Sequence, residues 1–193
     1  PMDSQVLDHL RIDPALEPYI REFGSLELDP AEDTFERLIV SLIRQQVSMD
    51  AAAAIQERLF DAVDISPEAL LAAEPATLHG AGLSEAKAEY VRAVAEAYQR
   101  EAYDRAYFAQ LDDEAVIDEL TAIHGVGPWT AKMFLMFGLG RPDVFPVEDL
   151  GIRRGIELVC DREMTRGEMC ERAEQWAPYR SYASLYLWRA YEE

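Results

Sequence analysis

Thr121-Ala122-Ile123-His124-Gly125-Val126-Gly127-Pro128-Trp129-Thr130-Ala131-Lys132-Met133-Phe134 reads as the end of one helix, a tight turn and the start of a second helix. Gly125 and Gly127 bracket Val126 in the turn; glycine accepts positive φ and lets another group come close to the backbone. Leu120 and Ile123 before the turn, with Ala131, Met133 and Phe134 after it, supply apolar contacts that pack the two helices together. The turn also presents amide N–H groups at a helix start, where the dipole favours an anion. A nucleic-acid phosphate meets that description. An ordinary helical hairpin with a glycine-rich connection would use the same residues.

Working outward, an apolar segment leads to Asp143-Val144-Phe145-Pro146-Val147-Glu148-Asp149-Leu150-Gly151, which puts Asp149 22 positions beyond Gly127. The hairpin, Pro146 and the acidic pair together resemble the helix-hairpin-helix DNA glycosylases with the Gly/Pro…Asp signature, the HhH-GPD superfamily. From about Phe35 to Trp188 the chain is similar to the 3-methyladenine DNA glycosylase II branch. The resemblance implies two helical lobes around a cleft, forming a single glycosylase unit over residues 1–193. Within it the hairpin spans 120–134 and the catalytic loop 143–151.

The resemblance assigns Asp149 as the catalytic carboxylate. Breaking an N-glycosidic bond develops positive charge on the sugar, and a fixed carboxylate stabilises that charge. Asp149 alternatively caps the following helix, as Asp often does, and Glu148 is its neighbouring rival. Lyase branches carry an amine two residues after the second hairpin glycine, where it forms a Schiff base. Here that position is Trp129, and Lys132 is out of phase. Water is therefore the expected nucleophile, leaving an abasic site and an uncut strand.

By the same resemblance, Trp129, Trp188 and Met133 line the pocket for the flipped base, where indole faces suit a cationic alkylated purine. Core packing is the other reading of the tryptophans. Gln46 fills the gap left by the flipped nucleotide, and with Gln45 and Ser48 it also caps a helix junction. Amides around Gly125 and Gly127, with the Thr130 hydroxyl, contact phosphate. Carbonyls of Thr121, Ile123 and Val126 bind a monovalent cation, K+ or Na+. Lys87 either touches a phosphate or is solvated. No other cofactor is implied.

Composition bounds these expectations. The 193 residues are 49% hydrophobic, enough for a substantial core. No apolar run approaches the ~20 residues that span a bilayer. Pro1-Met2-Asp3-Ser4 lacks the basic and apolar regions of a secretory leader, so an intracellular (cytoplasmic or nucleoid), soluble monomer is expected, with no membrane association. Cys160 and Cys170, the only cysteines, cannot supply the four ligands of an iron–sulfur cluster; they read as buried thiols. The net charge of −19 opposes nucleic-acid binding, which usually leaves a basic footprint. Lysine occurs only as Lys87 and Lys132. Such a composition is similar to that of proteins from salt-loving organisms, and concentrated salt screens phosphate charge.

Element signals are helical throughout, giving an all-α class. Residues 1–24 read as two short helices punctuated by Pro14 and Gly24. Pro30 starts a core helix with Asp29 as cap, bearing Phe35, Leu38, Ile39, Leu42 and Ile43 on one face. Asp50 precedes the next helix. Ser66-Pro67-Glu68 and Ser84 mark later helix starts, and the acidic stretch Leu111-Asp112-Asp113-Glu114 caps the helix leading into the hairpin. The expected partner is damaged double-stranded DNA and the expected lesion an alkylated purine. A glycosylase for oxidised or deaminated bases, and a helix-hairpin-helix module that only binds DNA or protein, are the alternatives.

Overall fold

Side-chain caps open most of the helices in the computed structural model, which describes residues 2–193. Pro1, where the leader reading begins, lies outside the described residues. Thirteen α-helices follow in order: α1 (Ser4–Leu10), α2 (Glu17–Phe23), α3 (Thr34–Arg44), α4 (Met49–Ala62), α5 (Pro67–Ala72), α6 (Pro75–Gly80), α7 (Glu85–Glu101), α8 (Arg105–Ala109), α9 (Asp113–Thr121), α10 (Pro128–Met133), α11 (Leu150–Cys160), α12 (Arg166–Ala173) and α13 (Arg180–Glu192). A π-helical turn, Phe134–Gly138, extends α10, and a 3-10 turn, Glu174–Trp176, follows α12. There is no strand among the described residues, as the all-α expectation required. No helix among them is long and apolar enough to cross a membrane.

The chain forms two compact units, one of the residues up to Pro30 with Gly140–Glu193, the other of Ala31–Leu139. The first holds α1, α2 and α11 to α13 around Leu10, Leu16, Ile20, Ile152, Ile156, Trp176, Tyr186 and Leu187, all fully buried. Asp13, between α1 and α2, is itself buried and accepts from Arg172, Gln175 and Trp176, the last at 2.7 Å. Burying a carboxylate is costly unless it is paired and hydrogen-bonded. This one has both, and it ties the N-terminal helices to α12 and the turn behind it.

The second unit is organised on α3, whose apolar stripe Phe35, Leu38, Ile39, Leu42 and Ile43 is buried against α7, α10 and the π-helical turn. Two boundaries differ from expectation. α3 begins at Thr34 rather than Pro30, because Asp33, not Asp29, accepts the Glu36 amide at 3.0 Å. Ala31 N–H is held instead by the Phe137 carbonyl, 2.7 Å away, which keeps Pro30–Glu32 out of the helix. Likewise Ser48 caps α4, and Asp50 lies in its first turn. The cysteines also need correction: Cys160, ending α11, is half-buried, Cys170 is exposed on α12, and both thiols are free.

Candidate active site

The loop Asp143–Asp149 is pinned along its length before it reaches the carboxylate. Asp143 takes a bidentate contact from Arg180 (2.8 and 3.0 Å) and a third bond from the Arg180 amide. Burial pushes the Asp143 carboxyl up, but the hydrogen bonds and charge of Arg180 more than reverse this, leaving it below the usual range. The fully buried Ser181 hydroxyl accepts from Val144 N–H and donates to the Arg141 carbonyl. Arg153 donates to the Val147 carbonyl at 2.9 Å. Val144, Phe145, Pro146 and Val147 are all buried. Loop position is thus set by α11 and α13 together.

Asp149 stands at the head of α11, half-buried, and is its N-cap: Oδ2 accepts the Ile152 amide at 3.0 Å. The capping and catalytic readings of this residue are therefore compatible. The same oxygen accepts the indole N–H of Trp188 at 2.7 Å. Bonds to an ionised carboxylate are short and strong, and two donors on one oxygen fix the plane of the group.

Two glycines on α11 make this contact possible. A Cβ on Gly151 would lie 2.8 Å from Trp188 Cδ1 and 3.1 Å from Asp149 Oδ2, and one on Gly155 would lie 2.3 Å from the Leu187 carbonyl oxygen. Spaced one helical turn apart, they open a seam into which the Leu187 backbone and Trp188 indole settle. Sequence reading passed over these glycines, although their i, i+4 spacing beside Asp149 was the available signal. It also passed over Arg180 as the partner of Asp143.

In the other unit the hairpin joins α9 to α10. Gly125 has φ +91°, and a Cβ there would stand 2.1 Å from Cγ of Tyr90, so this position admits only glycine. Gly127 differs: φ is −99° and an added Cβ would meet nothing within 4 Å. Trp129 is half-buried and Met133 is buried. The Ile123 carbonyl accepts Val126 N–H at 3.1 Å; a carbonyl has a second lone pair for a cation. His124 is exposed, with its ring edge-on to Tyr90. Thr130 is 1% exposed and its hydroxyl accepts from Gln45 Nε2 at 2.8 Å, so the side chain ties the hairpin to the end of α3.

Gln46, the expected wedge, is exposed at the α3–α4 junction with φ +55°. Lys87 neither reaches outward nor is freely solvated. Its ammonium donates to the carbonyls of Ile43, at 2.8 Å, and Gln45, at the end of α3. Burial pulls its pKa down, as expected for an ammonium partly removed from water. A groove of about 640 Å³ also lies on this unit, lined by Ala97, Glu101, Tyr103, Glu119 and His124 among others, but it includes none of the expected base-binding residues. Its size alone does not make it the site.

Comparisons with known proteins point to one family. The model of the HhH-GPD superfamily base excision DNA repair proteins matches residues 39–178. The DNA-3-methyladenine glycosylase of Saccharomyces cerevisiae is 33% identical, over 82% of this chain and 67% of its own length. The structure of the Schizosaccharomyces pombe 3-methyladenine DNA glycosylase with abasic DNA superposes with a TM-score of 0.89 at 27% identity, covering 96% of each chain. A DNA-3-methyladenine glycosidase from Bacillus halodurans gives 0.86 at 35% identity, covering 98% of this chain and 90% of that one.

Proposed function

The chain belongs to the HhH-GPD superfamily of base excision DNA repair proteins, and we propose that it hydrolyses the N-glycosidic bond of alkylated purines of the 3-methyladenine or 7-methylguanine type in duplex DNA. It is a base excision repair glycosylase for alkylated bases. The C1′–N bond breaks with its electron pair leaving on the base, which neutralises the positive charge of an alkylated purine. Charge then develops on the deoxyribose. Asp149, held by the Ile152 amide and the Trp188 indole, stabilises it without reorganising as the bond breaks. Water adds at C1′ and gives up its proton, with the carboxylate orienting or accepting it.

Since Trp129 occupies the position of the lyase amine, no Schiff base forms and the strand stays intact. Trp129, Trp188 and Met133 serve base recognition; an indole face attracts a cationic ring by about 0.5–2 kcal/mol. Gln46 plugs the duplex, because unstacking a base costs a few kcal/mol that a filler offsets. Amides at Gly125 and Gly127 meet phosphate, and a K+ or Na+ ion held by the carbonyls of Thr121, Ile123 and Val126 relieves the −19 charge. The protein acts as a monomer inside the cell.

The observation that carries this reading is a half-buried carboxylate fixed by two donors at the head of α11. Asp149→Asn tests it. The variant keeps an oxygen for the cap and should bind duplex containing an abasic-site analogue as wild type does. Single-turnover base release should fall at least about a hundredfold, the scale of losing one preorganised electrostatic group. Equal release by both proteins would remove Asp149 from the mechanism.

A further inference from the structure

Gln46 is one of the few non-glycine residues with left-handed backbone, and nothing in its own side chain explains why it stays there. Such a conformation persists only where the surroundings over-determine it. Two contacts do so. Lys87, in the first turn of α7, donates to the carbonyls of Ile43 and Gln45, placing positive charge at the C-terminus of α3, where the helix dipole favours it. One residue before Gln46, the Gln45 amide donates to the Gly125 carbonyl at 3.0 Å and to Thr130 Oγ1 at 2.8 Å, so the turn is tied to the hairpin. On the far side, Ser48 caps α4 by accepting the Ala51 amide. The backbone is gripped before and after the exposed Gln46, whose neighbours Val47 and Met49 are exposed as well.

We propose that Lys87 and Gln45 are positioning residues that hold the Gln46 turn in its duplex-plugging shape before DNA arrives, and that Gln45 couples this turn to the phosphate-binding hairpin. The inference rests on the DNA-plugging role given to Gln46 above. It assigns one of the chain's two lysines to contacts within the fold, where it orders the tip that enters the duplex. With the ammonium removed, the α3 carbonyls turn to water and the turn relaxes. Only a fraction of molecules then carries a competent tip, and apparent affinity falls by that fraction.

The experiment is a double-mutant cycle between Lys87→Met, which keeps the apolar stem, and Gln46→Ala, with Lys87→Arg as the conservative variant. The readouts are 2-aminopurine fluorescence in a duplex, with the probe opposite an abasic-site analogue, and 7-methylguanine release under subsaturating conditions. Lys87→Met is expected to reduce both about tenfold, as when one molecule in ten holds the competent turn. Lys87→Arg should recover most of the loss, and Lys87→Met should cost nothing further once Gln46 is already Ala. Gln45→Leu, which leaves the Lys87 contacts in place, should show the same dependence on Gln46, and it carries the test if Lys87→Met does not fold. Unchanged signals in both variants, or equal losses in the Gln46→Ala background, overturn the proposal while wild-type activity stands. If folded wild type neither perturbs the probe nor releases base, the DNA reading fails and takes this inference with it.

Discussion

Replacing Gly151 by alanine isolates the Trp188–Asp149 contact, because the new methyl group falls between the two side chains. Its carbon would lie 2.8 Å from Trp188 Cδ1, against an optimal carbon–carbon separation of about 3.5–4.0 Å, so the indole must retreat by roughly 0.7 Å. The bond from the indole N–H to Asp149, 2.7 Å long, then stretches to about 3.4 Å, beyond useful hydrogen-bond range. Overpacking costs about 1–3 kcal/mol, and alanine returns up to about 1 kcal/mol of helix propensity. Tm should therefore drop by only a few degrees, at about 2–4 °C per kcal/mol for a chain of this size. Catalysis should suffer more, since a carboxylate that loses one of its two fixing donors is no longer held in place, and misplacement by about an ångström costs about a hundredfold. Single-turnover release of 7-methylguanine, beside a thermal melt and abasic-duplex binding, measures the three effects separately. A rate within twofold of wild type would refute the idea that Trp188 sets the carboxylate. So would an equally large additional loss when Trp188→Phe is combined with Gly151→Ala.

The two hairpin glycines should behave oppositely. Gly125→Ala forces a methyl onto the Tyr90 ring from a left-handed backbone and should lower stability by several kcal/mol, which urea unfolding would show as a reduced midpoint. Gly127→Ala meets nothing and should melt as wild type does, while binding abasic duplex more weakly if a phosphate closes on that amide. For the Asp143–Arg180 pair, a depressed folded-state pKa means that the unfolded chain binds more protons as pH falls through the carboxylate range. The pair's stabilisation is complete above about pH 4 and lost below it, so Asp143→Asn should flatten the acid limb of a Tm-versus-pH curve. An unchanged acid slope would remove the pair from the acid response.

The helical class and most helix starts were legible because they depend on local chemistry. Ser66, Ser84 and Asp112 each accept an amide three residues on, as caps do. The α3 start was misplaced by four residues because Asp29 and Asp33 look alike in sequence. The choice is made by the Phe137 carbonyl, more than a hundred positions away, which takes the Ala31 amide. The same limit applies at the site. Asp149 was singled out by the family resemblance together with its spacing from the hairpin, but its indole donor lies on α13 and the glycine seam joining them is a packing fact. The partners of Lys87 and Thr130 were hidden for a related reason. An isolated lysine or threonine near a DNA-binding motif suggests phosphate, whereas their partners, Ile43, Gln45 and the Gln45 amide, become neighbours only through folding.

The most direct test of the account is product analysis on methylated duplex DNA, at low and at multimolar potassium chloride. Free 3-methyladenine and 7-methylguanine would be quantified, and strand breaks scored before and after alkali. The account predicts base release with breaks appearing only after alkali, the outcome of water attacking a sugar stabilised by Asp149 with no amine at position 129. Breaks before alkali would contradict the monofunctional mechanism, and no release at either salt from folded protein would contradict the assignment of alkylated purines as its substrate.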